Sequence, residues 1–188
     1  MVTVAGHPPS QRALYSPGVR VIGSVLRGAV AGAVATAAMD LMWYRRYRQQ
    51  GGEQPFASWE LSTDATGFGD DAPAPARVGK RIAELVGIDL DDDAVARTNN
   101  VVHWMTGIGW GKVGGFAAAV LPLPALAIGA GTGVTAWASS YAILGRLGIY
   151  QPITAYDRET LWKDLSAHVV FGLTLGAVLG APTVLRRR

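Results

Sequence analysis

The chain is predicted to be an all-α protein, a four-helix transmembrane bundle with one long extramembrane loop. Charged residues make up only 16% of the 188 residues, against about 25% in an ordinary soluble domain. They are nearly absent from four segments that are each long enough to cross a bilayer as a helix. Many of the 24 glycines recur at intervals of four within those segments, a spacing that is typical of close helix packing in membranes.

The four segments each supply the roughly 20 residues that a membrane-spanning helix requires. They are predicted at residues 22–44, 99–121, 125–145 and 164–185. Pro122 and Pro124 predict a tight turn between the second and third segments, because proline cannot continue a helix. Arg45 and Arg186 open arginine-rich stretches after the first and fourth segments, as expected at a membrane interface.

The remaining residues are assigned to a tail and two loops. Residues 1–20 contain proline, serine and arginine and are predicted to be a disordered tail, which leaves 21–188 as a single membrane domain. The stretch 45–98 is the only substantial extramembrane region. Within it, Ala76–Val86 has the apolar periodicity of an amphipathic helix and is expected near the membrane surface.

Small residues spaced by four mark one face of every predicted span, because such residues share a side of an α-helix. The glycines of these faces are Gly28, Gly32, Gly107, Gly111, Gly115, Gly129, Gly133, Gly172, Gly176 and Gly180. Glycine lets two helix backbones approach closely, and in lipid this contact replaces the hydrophobic effect as the source of association. These faces are therefore predicted to pack inward.

Each face also has a polar end. The polar residues are Asp40, Asn99, His103, Tyr141, Asp164 and His168. In an up-down-up-down arrangement all of them reach the same end of the bundle, where both long loops lie. Ionisable groups inside a membrane are costly and usually functional, and histidine titrates near neutral pH. The cluster therefore suggests a proton or ion relay.

The two halves of the chain resemble each other. The polar and glycine positions of residues 99–115 recur over 164–180, and those of residues 28–45 recur over 129–146. This similarity predicts two tandem helical hairpins related by an axis along the membrane normal, as in parallel repeats. A chance match between short glycine-rich patterns stays open as the alternative.

The His103 helix with its glycine row, the tight proline turn and the Asp164-x-x-x-His168 helix resemble the YagU-like group of small bacterial inner-membrane proteins. The resemblance covers the membrane portion, and the 45–98 loop departs from it. It implies a multi-pass protein of the bacterial inner membrane, loosely linked to acid stress. It transfers no catalytic residue to this chain.

Composition removes several function classes. The chain has no cysteine, which excludes disulfide scaffolds, cysteine nucleophiles and cysteine-ligated metals. The net charge of +3 is too diffuse for a nucleic-acid partner. No catalytic residue, metal ligand or cofactor is predicted. The expected partners are the lipid bilayer and either a second copy of the chain or another membrane protein.

The leading functional hypothesis is a small transporter-like or proton-responsive membrane protein that uses the His/Asp cluster. The alternative is a structural or accessory scaffold, in which the cluster only fixes helix packing and the 45–98 loop binds a partner. A membrane-embedded metal-dependent enzyme is a third reading. The role of Lys112, near the middle of the second span, stays open.

Two alternatives to the membrane fold also remain at this stage. Alanine and glycine contribute little to membrane insertion, so a soluble helical bundle rich in both is one alternative. The other is a cleaved signal peptide, because Ala35-Thr36-Ala37 has the pattern of a cleavage site.

Overall fold

The structure, a computed structural model, describes residues 17–182, and all of its regular elements in that range are helical. The α-helices are α1 (Pro17–Gln49), α2 (Phe56–Glu60), α3 (Ala74–Leu85), α4 (Val95–Val120), α5 (Ala125–Arg146) and α6 (Arg158–Gly180). Short 3₁₀ turns precede α4 at Asp92–Ala94 and α6 at Ile153–Ala155. The prediction of an all-α protein is confirmed.

The four long helices, α1, α4, α5 and α6, coincide with the four predicted segments but have different ends. Helix α1 begins at Pro17, so the predicted tail is helical over 17–20, and residues 1–16 lie outside the described range. Helix α6 begins six residues before the predicted span. The cause is Asp157, whose side chain accepts a hydrogen bond from the Thr160 amide at 2.8 Å and caps the helix. Residues 183–185 of that predicted span lie beyond the described range.

Hydropathy separates α1 from the other long helices. Among the described helices, α1 alone is apolar enough over a sufficient length to cross a membrane, with a mean hydropathy of 1.6 in its best window. Helices α4, α5 and α6 carry the glycine and polar residues noted above, which lower their mean hydropathy. Hydropathy thus supports the first predicted span and does not by itself support a multi-pass arrangement.

The long helices pair as α1 with α4 and α5 with α6. We call these pairs the first and second hairpins. A Cβ atom added to Gly32 would lie 2.6 Å from the Gly107 carbonyl oxygen, and one added to Gly133 would lie 3.0 Å from the Gly172 Cα. The helix backbones therefore touch directly, at distances that no larger residue allows.

The other predicted glycines divide between the same two contacts. Gly28, Gly111 and Gly115 lie where α1 meets α4, and Gly129, Gly172 and Gly176 lie where α5 meets α6. Gly107 faces the Thr36 side chain rather than backbone alone. Gly180 has a looser position, since a Cβ there would lie 3.3 Å from the Cβ of Ala125.

The hairpins meet through α1 and α6. Their shared core is built from Ala31, Ala35, Met39, Ala167, Phe171, Leu175 and Leu179. At the far end of α6, the Arg27 guanidinium of α1 donates to the carbonyls of Val178 and Ala181 and so satisfies free groups of the helix terminus. Cleavage after Ala37 would remove Ala31 and Ala35 from this core, so the packing disfavours the signal-peptide alternative.

The 45–98 segment folds against one end of the long helices. Helix α2 is held by an aromatic cluster formed by Tyr44, Tyr47, Phe56 and Trp59. Helix α3, predicted over 76–86, packs its Gly79 against Thr98 of α4. Its Arg77 donates to the carbonyls of Gly148 and Ile149, at 3.3 and 3.0 Å. Helix α3 therefore bridges α4 and the turn that follows α5.

The outer surface of the long helices is rich in large apolar side chains. Exposed examples are Ile22, Leu26, Val30, Leu41, Val101, Met105, Val113, Phe116, Leu126, Val134 and Leu173. Within each hairpin, in contrast, the helices meet largely through glycine. The core between the hairpins also holds large side chains, namely Met39, Phe171, Leu175 and Leu179. Small residues thus make the closest helix contacts, while many large apolar residues face outward.

Candidate functional site

A cavity of about 380 Å³ lies among the four long helices and is closed on one side by α3. We call it the inner cavity. Its polar side chains are Thr36, His103, Thr106, Ser139, Ser140, Tyr150, Asp164 and His168. Its larger apolar side chains are Met39, Trp43, Val78, Val102, Trp110, Ile143, Leu144 and Phe171. Two histidines from different hairpins therefore share one mostly apolar chamber.

His103 reaches the cavity from α4 and is bonded on its other side to α1. Its Nε2 lies 2.8 Å from Oδ1 of Asp40. Asp40 is only 5% exposed, so this histidine is its main partner inside the protein. A carboxylate in this position fixes the orientation of the imidazole ring and stabilises its protonated form.

Glu60 of α2 extends this pair toward the surface. Its Oε1 accepts a hydrogen bond from Nε1 of Trp104 at 2.9 Å, and its backbone carbonyl accepts one from Asn100 at 3.1 Å. Burial raises the pKa of Glu60, with the neighbouring Asp40 adding to the shift. Oδ2 of Asp40 is buried and has no hydrogen-bond partner among the described residues.

His168 belongs to a second polar group, which lies on α6. Its Nδ1 is 3.0 Å from the Asp164 backbone carbonyl and 3.3 Å from Oδ1 of the same residue. The Tyr141 hydroxyl of α5 lies near the Asp164 carboxylate, and both side chains line the same neighbouring cavity. In the second hairpin, the histidine thus takes its carboxylate from its own helix, and the facing helix contributes a phenol.

A second, more open cavity of about 360 Å³ adjoins this group. We call it the outer cavity. It is lined by Trp43, Tyr141, Tyr150, Tyr156, Thr160, Lys163 and Asp164. Trp43, Tyr150 and Asp164 line both cavities and so form the boundary between them. Burial, followed by the nearby Asp164 and Tyr156, raises the pKa of Tyr150 to about 12, which keeps its phenol neutral.

The six residues of the predicted polar cluster have different places. His103, His168 and Asp164 line the inner cavity, Asp40 lies behind His103, and Tyr141 lines the outer cavity. Asn99 is apart from both cavities, and the next residue, Asn100, makes the contact to Glu60. The reason is geometric, since Asn100 and Trp104 are four residues apart and share the side of α4 that faces α2.

Sequence reasoning missed Glu60 and Tyr150. Both lie outside the predicted spans, and neither belongs to a spacing pattern that would mark it. Glu60 reaches the site only because the aromatic cluster holds α2 against the end of α1. Lys112, whose role the sequence left open, is exposed on α4 and lies outside both cavity linings.

Within residues 17–182, no group of three or more histidine, aspartate or glutamate side chains is arranged to hold a metal ion. The two histidines are instead each paired with one aspartate. The arrangement can bind and release protons, and it can hold a small ligand in the inner cavity. No protein-family model, curated protein or solved structure matches this chain.

Proposed function

We propose that the chain is a four-span protein of the bacterial inner membrane that acts as a small proton-responsive, transporter-like protein. The inner cavity is its binding site, and the protein uses His103 and His168 with Asp40 and Asp164 to respond to protons. The location follows the resemblance to the YagU-like group, and the arrangement of the cavity is what supports the mechanism.

The distribution of side-chain size supports a lipid environment. A soluble helical protein buries its large apolar residues to gain about 25 cal/mol per Å² of surface removed from water. Here glycine occupies the closest contacts within each hairpin, and large residues such as Leu26, Val30 and Phe116 face outward. Lipid removes the cost of exposing them, and helix association then depends on close backbone contact.

The single observation that carries the mechanism is that His103 and His168 open onto one cavity from separate hairpins. A histidine beside a carboxylate changes charge near neutral pH. Protonation of the pair places positive charge on two walls of the same chamber. Such a change alters both ligand affinity and the repulsion between the hairpins, which are the two quantities that a proton-coupled site must link.

Reconstitution into liposomes tests this function. The protein should remain in the membrane fraction after an alkaline carbonate wash. Vesicles that contain it and a trapped pH-sensitive dye should acidify faster than empty vesicles after an external acid step. His103→Ala and His168→Ala should each abolish the difference, whereas Asn99→Ala, a matched polar change outside the cavities, should preserve it. Equal acidification by wild type and both histidine variants would contradict the proposal.

A second candidate is the scaffold role, favoured by the exposed apolar surface of the 45–98 loop. Ile82, Leu85, Val86 and Ile88 are all more than half exposed around the end of α3, as a partner-binding surface would be. In this case the Asp40–His103 bond only locks the first hairpin. The histidine variants would then lower thermal stability in detergent and leave the dye signal at the wild-type level.

A further inference from the structure

We propose that the inner cavity binds an apolar organic cation and that Asp164 is its counter-ion. The inference builds on the proposed function, because it names the class of ligand whose binding competes with protons. It depends on the chemistry of the cavity walls and on the boundary that the inner and outer cavities share.

The wall of the inner cavity carries one fixed negative charge among the described residues. Asp164 is the only carboxylate on the inner cavity wall within the described part of the chain, and no lysine or arginine side chain of residues 17–182 lines it. Lys163, on the outer cavity, is paired with Glu159 at 2.6 Å. The fixed charge that a ligand meets in the inner cavity is therefore negative whenever the histidines are neutral.

Aromatic rings line the same chamber as Asp164, and three of them, Trp110, Tyr150 and Phe171, are not stacked with a cation of the described part of the chain. The ring of Trp43, in contrast, already carries the Arg46 guanidinium at 4.7 Å from its centroid. Aromatic faces attract cations electrostatically, and the attraction grows when water is excluded. A carboxylate beside such rings favours a bulky cation with apolar substituents over a small hydrated ion. The apolar substituents gain free energy when they leave water and contact the rings, whereas a small ion would lose its hydration shell.

The outer cavity offers a ligand access to Asp164. The outer cavity is lined by three tyrosines, and it meets the inner cavity at Trp43, Tyr150 and Asp164. A cation that enters from the loop side would therefore meet neutral phenols first and the carboxylate at the boundary. The boundary carboxylate is the residue that both cavities present to a ligand.

Several charged or titratable groups lie around Asp164. Nδ1 of His168 lies 3.3 Å from Oδ1 of Asp164, and His103 faces the same chamber. Other groups near Asp164 are the hydroxyls of Tyr141 and Tyr150 and the Lys163 ammonium. From α1, the Arg46 guanidinium donates to the Lys163 carbonyl and to Ser166. Protonation of His168 would place a competing cation beside the carboxylate, so organic cations should bind more weakly as the pH falls.

Binding of benzyltrimethylammonium to the purified full-length protein in detergent tests the inference. Calorimetry at pH 8 should detect binding of this cation and no binding of neopentylbenzene, its neutral isostere. Asp164→Asn should weaken the affinity for the cation by about tenfold or more. Glu84→Gln, which removes an exposed carboxylate of α3 away from both cavities, should leave the affinity unchanged.

A second variant keeps the test decisive if Asp164→Asn fails to fold. Trp110→Leu retains an apolar side chain and removes an aromatic ring, so the affinity for the cation should fall several-fold. The inference is overturned if the neutral isostere binds as tightly as the cation, if Asp164→Asn binds like wild type, or if phenylacetate binds instead. Proton flux without binding of the cation would contradict only this inference. Binding of the cation without proton flux would contradict only the proposed function.

Discussion

The two hairpins have the same spacing of glycine and polar residues, but different helical turns lie opposite each other in each hairpin. When they are aligned on His103 and His168, the counterpart of Gly28 is Gly129. Gly28 of the first hairpin faces Gly111 and Gly115, whose counterparts are Gly176 and Gly180. Gly129 instead faces Gly172 and Gly176. The second hairpin is thus offset by four residues, one helical turn of about 5.4 Å.

The offset changes the chemistry of the polar ends. In the first hairpin Asp40 lies opposite His103 and bonds to it. Its counterpart Tyr141 lies opposite Asp164 rather than His168. One hairpin therefore buries its carboxylate behind a histidine, and the other brings its carboxylate to the cavity wall. Residue identity contributes as well as register, since the counterparts of Asp40 and Asp164 are Tyr141 and Asn99.

The largest expected effect comes from breaking the register itself. Gly32→Ala in the first hairpin and Gly133→Ala in the second should each cost about 3 kcal/mol, at the upper end for overpacking, because the new Cβ meets backbone that cannot rotate away. Unfolding of the purified protein in detergent measures this cost. Gly109→Ala is the matched control, since nothing lies within 4 Å of its added Cβ, and it should stabilise by about 0.5–1 kcal/mol. Equal midpoints for Gly32→Ala and Gly109→Ala would refute the close contact.

A smaller expected effect tests the four-residue offset between the hairpins. A double-mutant cycle of Tyr141→Phe and Asp164→Asn should give a coupling energy of about 1 kcal/mol, as expected for side chains in contact. The parallel cycle of Tyr141→Phe with His168→Ala should give a smaller coupling. If the second cycle gives the larger value, the two hairpins share one register and the proposed offset is wrong.

The smallest effect concerns Glu60 of α2, which contacts Asn100 and Trp104 of the first hairpin. Burial raises the pKa of Glu60 above its usual value of 4.5, so the folded state holds this proton more tightly than the unfolded state. The resulting stability is fully present below pH 4.5 and is lost as the pH rises through the folded-state pKa. The indole N–H of Trp104, which donates to Glu60, should report that titration by NMR.

Glu60→Gln supplies the control for this titration. The amide oxygen can still accept from Trp104, but the side chain no longer titrates. The Trp104 resonance of the variant should stay constant over the same pH range. A wild-type resonance that also stays constant would contradict the titration of Glu60 in the folded protein.

Helix positions were predictable because their signals are local. The absence of charge, the proline turn and the glycine spacing located all four long helices. The exact ends of the helices were harder to predict. In α6, for example, the first turn after the Asp157 cap is charged, so it lies outside the apolar segment although it is helical. The spacing also placed His103 and His168 on inward faces, since residues four apart share one side of a helix.

The site itself was only partly predictable. Glu60 and Tyr150 come to it from loop segments that carry no periodic pattern, so no spacing could single them out. Asn99 was assigned to the predicted polar cluster because it lies four residues before His103. The side of α4 that contacts α2, however, carries Asn100. Position on a helix fixes direction only to within the width of one side chain, and the neighbouring helix selects which residue makes contact.

The sequence by itself determined that this protein is helical, that its contacts are made by small residues, and that its polar groups gather toward one end. These properties depend on composition and on the 3.6-residue period, which act along each helix separately. Only the tertiary structure decided which turns meet, which carboxylate faces the cavity, and that a loop helix closes it. Those outcomes depend on contacts between distant parts of the chain, and a shift of one turn leaves every local pattern unchanged while exchanging every partner.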